Sequence, residues 1–542
     1  MRAKQALILM LTIILLITCA GCGAKEAASG EVIFTLAIQE EIDTFNPLSA
    51  WSIVSAEALM LVYDPLVRYD DAYDPVPCLA KSWELSDDQL TWTFHLAEGV
   101  QWHDGEPFTS ADVKFTYETF YDQGAYLYSS YLEGISSIET PDANTVVITT
   151  EYPKANMLLN TTPIVPEHIW GEIAEDEIYD WVDDKVIGTG PFKYSAERST
   201  EGVYVFVKNE AYFGEKKPYI DTLVLVIYEN SDTIATALEL GEIDGAAAIA
   251  ATQKEALAAS GKVDIINASV PGFSQVAINM APEEYGGTGN PLLREKVIRH
   301  AIDYCVNRAY ILEMAYNNAG TVGYTLINPG NPYHYQPTAQ ELRTYDPAKA
   351  AQLLEEAGYS DTNGDGIRED AQGNPLSFEL ISISDNSWEI KTAQIMASNC
   401  RDAGIEFRLT NMDSGALSDI IYTYEYDIHI WGWGADADPG TILAIFTTDF
   451  ANETGFSNAR YDELYEAQMR EMDEAKRIEL VQEMQQILYE ESPYLIYIHD
   501  DYVQAIRSDK WTGYAGIPSE NGGLFYNLTF NNYMNIRPAD SK

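Results

Sequence analysis

Within eleven residues, Ile430-Trp431-Gly432-Trp433-Gly434-Ala435-Asp436-Ala437-Asp438-Pro439-Gly440 brings together two indole rings and two carboxylates. Flat aromatic walls beside a fixed negative charge suit a ligand with an apolar body and a cationic end. The preceding Tyr426-Asp427-Ile428-His429-Ile430 alternates polar and apolar, the pattern of a half-buried strand. If the strand continues, Trp431 and Trp433 share one face, because side-chain direction repeats every two residues. The intervening glycines keep that face open to close approach. Pro439 and Gly440 close a turn, and Asp438 belongs to that turn before it belongs to a ligand. The same residues also suit a core strand followed by a solvated acidic turn, since pockets and cores share aromatic lining.

A second acidic run, Asp361-Thr362-Asn363-Gly364-Asp365-Gly366-Ile367-Arg368-Glu369-Asp370, has calcium-loop spacing. Asp361, Asn363, Asp365, Ile367 and Glu369 stand at positions one, three, five, seven and nine, with glycine at six. Position twelve is Gln372, not the bidentate glutamate of an EF-hand, so a structural calcium and a plain helix-to-strand connection both stay open. No other cofactor is expected. The seven histidines include no His-Glu-x-x-His pair, and no Gly-x-Ser-x-Gly elbow occurs. A secreted hydrolase is therefore the remote alternative, and the chain is read as a non-enzyme.

Arg2 and Lys4 precede an apolar run over residues 6–17, and Thr18-Cys19-Ala20-Gly21-Cys22 follows. A basic start, a short apolar core and small residues at its end make a secretory signal, too short for a spanning helix of about 20 residues. Ala20-Gly21-Cys22 resembles the lipobox of bacterial lipoproteins, which implies cleavage before a lipidated Cys22; the usual leucine three residues earlier is here Cys19. Residues 1–21 are then the signal peptide and 22–30 a small, polar tether. The remainder is expected to be a soluble body outside the cytoplasm, anchored to the bacterial membrane. Removing the signal takes away two cations and no acid, moving the net charge from −51 to −53. That excludes a nucleic-acid binder, which needs clustered Lys and Arg. Its 36 tyrosines and 10 tryptophans exclude a disordered acidic chain. Beyond Cys19 and Cys22 only Cys78, Cys305 and Cys400 remain, so at most one disulfide forms; Cys305 and Cys400 also read as packed thiols.

The elements that must position these groups alternate between strand and helix. Strands are expected over residues 32–38, 90–96, 145–150, 203–207 and 223–227, the last two β-branched and buried. Asn290-Pro291 reads as a helix start, and Val297, Ala301, Cys305 and Ala309 continue one apolar stripe at fourfold spacing. Asp346-Pro347 opens a second helix that Gly358 ends, and a third pair runs from about 461 to 491, before Pro493. About 510 mature residues exceed one hydrophobic core, so at least two lobes are needed.

Tyr63-Asp64-Pro65-Leu66-Val67, Pro77-Cys78-Leu79-Ala80-Lys81-Ser82-Trp83-Glu84 and Gly99-Val100-Gln101-Trp102-His103-Asp104-Gly105-Glu106-Pro107-Phe108-Thr109-Ser110-Ala111-Asp112-Val113 resemble the family 5 extracellular solute-binding proteins of ABC importers. Val165-Pro166-Glu167-His168-Ile169-Trp170, Gly188-Thr189-Gly190-Pro191-Phe192, Gly241-Glu242-Ile243-Asp244 and Ser492-Pro493-Tyr494-Leu495-Ile496-Tyr497 extend the likeness over the whole mature chain. The resemblance implies an α/β, two-lobed periplasmic-binding-protein-like fold (type II, cluster C) with an extra subdomain in lobe I. Lobe I would comprise residues 31–272 plus 495–542, with the subdomain at about 76–195, and lobe II residues 273–494. It implies a monomer that closes over a ligand, most readily an oligopeptide, and docks on permease subunits. By the same resemblance Asp436, three residues after Trp433, would hold a peptide α-ammonium, with Trp433, Trp431, Trp51, Tyr128 and Tyr131 lining the cleft. Dipeptide binders grip the far carboxylate with an arginine; the comparable Leu380-Ile381-Ser382-Ile383-Ser384-Asp385-Asn386-Ser387 has none. A longer peptide, or an uncharged oligosaccharide stacked on the aromatic rings, is then easier to accommodate than a dipeptide.

Overall fold

A computed structural model describes residues 30–540, apart from positions 126, 184, 229, 270–271, 385, 435–437, 449–451, 519–521 and 528. Two mixed sheets carry the fold. The first has seven strands in the order Asp264–Ser269, Asp501–Ile506, Gly245–Ala246, Ile33–Ile38, Thr222–Ile227, Val203–Lys208 and Phe192–Tyr194. Its central pair, Ile33–Ile38 with Thr222–Ile227, is parallel and rich in β-branched residues, as strands covered on both faces are. The second has six, in the order Thr321–Val322, Tyr494–His499, Gly272–Ile278, Ile428–Gly434, Ser377–Ile383 and Glu406–Met412.

A smaller antiparallel sheet, Ala80–Leu85, Thr91–Leu96, Thr145–Thr150 and Ile135–Asp142, alternates buried and half-buried side chains along its inner strands. The helix Ser110–Gln123 starts on a capping box between Thr109 and Asp112 and ends at left-handed Gly124. Gly188 shows why the Gly188-Thr189-Gly190 segment needs glycine: a Cβ there would stand 1.9 Å from the Val62 carbonyl oxygen.

The six-stranded sheet has a core on each face. On one, Val276, Ile278, Leu380, Ile428, Ile430 and Leu495 pack on Ile298, Ala301 and Cys305 of Lys296–Cys305 and on Met396 and Cys400 of Ser387–Arg401. On the other, Phe273, Ala277 and Ile496 pack on Leu443, Tyr461, Val481 and Met484. Each fully buried Leu, Ile or Phe contributes about 1.5–3 kcal/mol, so these cores decide the register of the strands between them. Cys78, Cys305 and Cys400 are buried free thiols, and burial holds the Cys400 thiol well above its usual range.

The continuous helix expected from Pro291 onward is broken. Asn290 caps a 3-10 turn, Pro291–Arg294; Glu295 leaves helical geometry; Lys296–Cys305 and Arg308–Met314 follow as separate helices. Buried Arg299 makes the break tolerable, donating to the carbonyls of Leu293, Arg294 and Glu491 at 2.9, 2.7 and 2.8 Å. Asp346–Pro347 does open a helix, Pro347–Glu356, and the later pair runs Ala459–Arg470 and Glu474–Glu491.

The chain passes between the two large sheets side by side in two places. One passage leads from Asp264–Ser269 to Gly272–Ile278, the other from Tyr494–His499 through Asp500 to Asp501–Ile506. Ser269 pairs with Asp501 on one side, and Ser274 with Ile498 on the other. Adjacent single-chain crossings between two lobes are the geometry of a hinge.

Candidate functional site

The strand Ile428–Gly434 ends where these crossings begin: Gly434 pairs with Gly272, Trp433 with Phe273 and Trp431 with Gln275. Alternation puts His429, Trp431 and Trp433 on one face and Ile428 and Ile430 on the other, in the core. Trp433 rests on the cluster of Phe273, Phe446 and Tyr494, with its Nε1 donating to the Tyr494 hydroxyl at 3.1 Å. Trp431 rests on Ile381, Leu417 and Ile421. Both rings stay half-buried, and a Cβ at Gly434 would meet nothing within 4 Å, so the strand end is open.

Beside Trp433 and His429 lies a buried polar group that sequence reading did not single out. The Tyr494 hydroxyl hydrogen-bonds Glu453 Oε1, and His429 Nε2 stands 3.7 Å from the same oxygen. Glu453 is 3% exposed, and Tyr494, Gln275 and Trp433 all face its carboxyl. Burial pushes the Glu453 carboxyl up to about 7, against the lowering effects of Tyr494, Gln275 and Trp433, and pushes His429 down to about 3. The one sequence signal was positional: Gln275 and His429 are polar residues on the inward face of core strands. Glu453 arrives from a loop and carried no signal at all.

Asp438 is fully buried. It caps the helix Pro439–Ala444 through Gly440 N at 3.2 Å, pairs with the Arg477 guanidinium, and accepts from Asn156 Nδ2 at 2.9 Å. Beside it Ala155 N donates to the Met469 carbonyl at 3.0 Å, and Arg470 lies over the Tyr152 ring at 4.9 Å. Asp436, the expected anchor, lies outside the described residues, as do Asp385 and the lipidation candidate Cys22. Trp51 is 67% exposed, with its backbone N–H on Asp43 Oδ2, just before the cap Ser52 of the helix Ile53–Val62. Tyr131 is fully buried and Tyr128 nearly so, the latter 6.3 Å from the Phe120 ring, so both are packed into the small-sheet subdomain and present no open ring face here. The structure thus gathers Trp431 and Trp433 and leaves the two tyrosines in packing.

In the acidic loop, carboxylate oxygens of Asp361, Asp365 and Glu369 lie within 4.8 Å of one another. Asp361 and Asp365 are exposed; Glu369 is buried and accepts from Thr362 N, Thr362 Oγ1 and Asn363 Nδ2. A crevice of about 820 Å³ lies near this loop, at the opposite end of the sheet from the tryptophans. Its arginines are already paired, Arg401 with Glu406 at 3.5 Å and Arg408 with Asp427 at 3.7 Å. Among the described residues, no helix is long and apolar enough to cross a membrane.

Two sheets joined by paired crossings, with an aromatic wall at the junction, define a binding protein of the hinged, two-lobed kind. Residues 74–453 match the model for bacterial extracellular solute-binding proteins, family 5, and the chain belongs to that family: it is the substrate-binding protein of an ABC importer. It is 26% identical over 520 residues to the oligopeptide-binding protein AppA of Bacillus subtilis, covering 91% of this chain and 93% of AppA. The AppA structure, solved with a nonapeptide, superposes with a TM-score of 0.77 over 94% of this chain and all of that one at 23% identity. NikA from Brucella suis, solved with Fe(III)-EDTA, gives 0.78 at 23% identity over 93% and 99% of the two chains. An oligopeptide-binding protein from Thermotoga maritima, solved with mannohexaose, gives 0.74 at 22% identity over 95% and 100%. These structures share the fold, an α/β two-lobed one with a further small sheet.

Proposed function

We propose that the protein captures an oligopeptide between its lobes, outside the cytoplasm, and hands it to an ABC permease while tethered to the membrane through lipidated Cys22. The observation that carries this reading is the pair Trp431 and Trp433 on one face of a strand that ends at the hinge, with Asp436 three residues on. The indoles offer flat walls, and Asp436 is proposed to take the peptide's α-ammonium; Trp51 is proposed as an opposing wall. Such a pair adds affinity when both charges are well hydrogen-bonded on closure. Nothing in this role requires a bond in the ligand to break.

The test is calorimetry with peptides of two to nine residues. Asp436→Ala should weaken peptide binding at least tenfold, about 1.4 kcal/mol; unchanged affinity would remove Asp436 from the site. An oligosaccharide is the second reading, favoured by the lack of arginine over residues 380–387. It would appear as binding of a mannohexaose-type glycan that Asp436→Ala leaves intact. We also propose a structural calcium at Asp361, Asn363, Asp365, Ile367 and Glu369, supported by the all-oxygen donor set.

A further inference from the structure

The second crossing between the sheets carries a carboxylate with no ion-pair partner among the described residues. Asp500 is the single residue between the strands Tyr494–His499 and Asp501–Ile506, and it is partly accessible. Its hydrogen-bond donor is the Ser274 hydroxyl, 3.2 Å from Oδ1 and 3.1 Å from Oδ2. Ser274 is held in turn by the Tyr316 hydroxyl at 3.1 Å, and Tyr316 shares a hydrogen bond with Tyr497. At the Tyr316 end of this chain, the Trp388 ring lies 5.5 Å from the Tyr316 ring, and Trp388 is 53% exposed at the start of Ser387–Arg401.

The charges facing Asp500 make its isolation more telling. No Lys or Arg among the described residues lies within ion-pair distance of it. Its neighbour Asp501 is a second acid, on which Lys254 acts from the seven-stranded side, and Glu389 approaches Tyr316 and Tyr497 from the helix side. From the seven-stranded sheet come Tyr502 and, beyond it, Glu40. Burial and Asp501 together push the Asp500 carboxyl up to about 7. A desolvated carboxylate beside another acid is stabilised by whatever cation enters, and the exposed Trp388 indole, reached from Asp500 through Ser274 and the Tyr316 ring, offers a cation–π face. The chain as a whole, at −51, steers cations toward such a spot.

We propose that Asp500, with Ser274 and the Tyr316–Trp388 ring pair, forms a subsite at the hinge for a cationic side chain of the ligand, an ammonium or guanidinium. This deepens the peptide reading and rests on it: a basic peptide would put its α-ammonium on Asp436 and a Lys or Arg side chain on Asp500. The subsite sits where the chain itself crosses between lobes, so the cation is enclosed as they close.

The experiment is calorimetry on the whole protein with pentaalanine and its five single-lysine variants at pH 7. At least one lysine register should bind about tenfold more tightly than pentaalanine. Asp500→Asn, equal in shape, should erase that preference and leave pentaalanine affinity within about twofold. Trp388→Ala, a change at a half-exposed ring, should reduce the preference without abolishing peptide binding. Wild-type binding of the preferred lysine peptide should release a proton, seen as an enthalpy that varies with the buffer's ionisation heat; Asp500→Asn should lose that variation. Peptides that bind with no lysine preference, or a preference that survives Asp500→Asn, would overturn the subsite. Failure of every peptide would instead sink the peptide reading. In that case a spermidine titration followed by thermal shift decides the subsite alone: an Asp500-dependent rise supports it, and an equal or absent rise in both proteins overturns it.

Discussion

Replacing Glu453 by Gln should make the protein less sensitive to alkaline pH, with a magnitude set by the site itself. The Glu453 carboxyl is pushed from 4.5 up to about 7, mainly by burial. The unfolded chain ionises near the lower value, so between the two the folded state holds more protons. Stability from this group is therefore complete below about 4.5, falls as pH rises, and is gone above about 7. The gap corresponds to about 3 kcal/mol. Glutamine copies the neutral acid and can still accept the Tyr494 hydrogen bond. Wild type and Glu453→Gln should thus be equally stable near pH 4.5, and the variant should be more stable by up to about 3 kcal/mol at pH 8. Urea unfolding of both proteins from pH 4.5 to 8, followed by tryptophan emission, measures the difference. Taking the difference removes what the two chains share: Glu57 and Asp500, also pushed up to about 7, and the general repulsion of a chain at −51. His429, held down to about 3 by burial, stays neutral over this range in both. Parallel curves for the two proteins would refute the reasoning.

Removing the Asp438 carboxylate strips Arg477 of its buried counter-ion, Asn156 of an acceptor and a helix of its cap. Asp438→Ala should cost about 3–5 kcal/mol in urea unfolding, whereas Asp438→Leu with Arg477→Met should cost far less than the two single changes added. Additive losses would show the pair to be uncoupled. Calcium should raise the melting temperature and Asp361→Ala should abolish the rise; a calcium response untouched by that substitution would place the ion elsewhere. Trp433→Ala should weaken ligand binding more than Trp433→Phe, because a ring of either kind preserves the wall that rests on Tyr494; equal losses would argue against a stacking role.

Local pattern was enough for much of this protein. The alternation over residues 90–96 and 426–433 became strands, and Asp346-Pro347 became a helix start. Each depends on a few neighbouring residues, and backbone sterics and side-chain periodicity act at that range. The motifs from Tyr63 to Val113 were enough for the family. The break after Arg294 was invisible, because Arg299 satisfies the freed carbonyls only in the folded state, partly across to Glu491. The packing of Tyr131 was equally hidden: an aromatic residue reads alike in a pocket wall and in a core. Glu453 and Asp500 were two acids among 84 until the fold placed one beside His429 and Tyr494 and the other at the crossing on Ser274. Charge type is written in the chain, but the desolvation and the partners that give a charge its chemistry arise from residues tens to hundreds of positions away, brought near only when the sheets assemble.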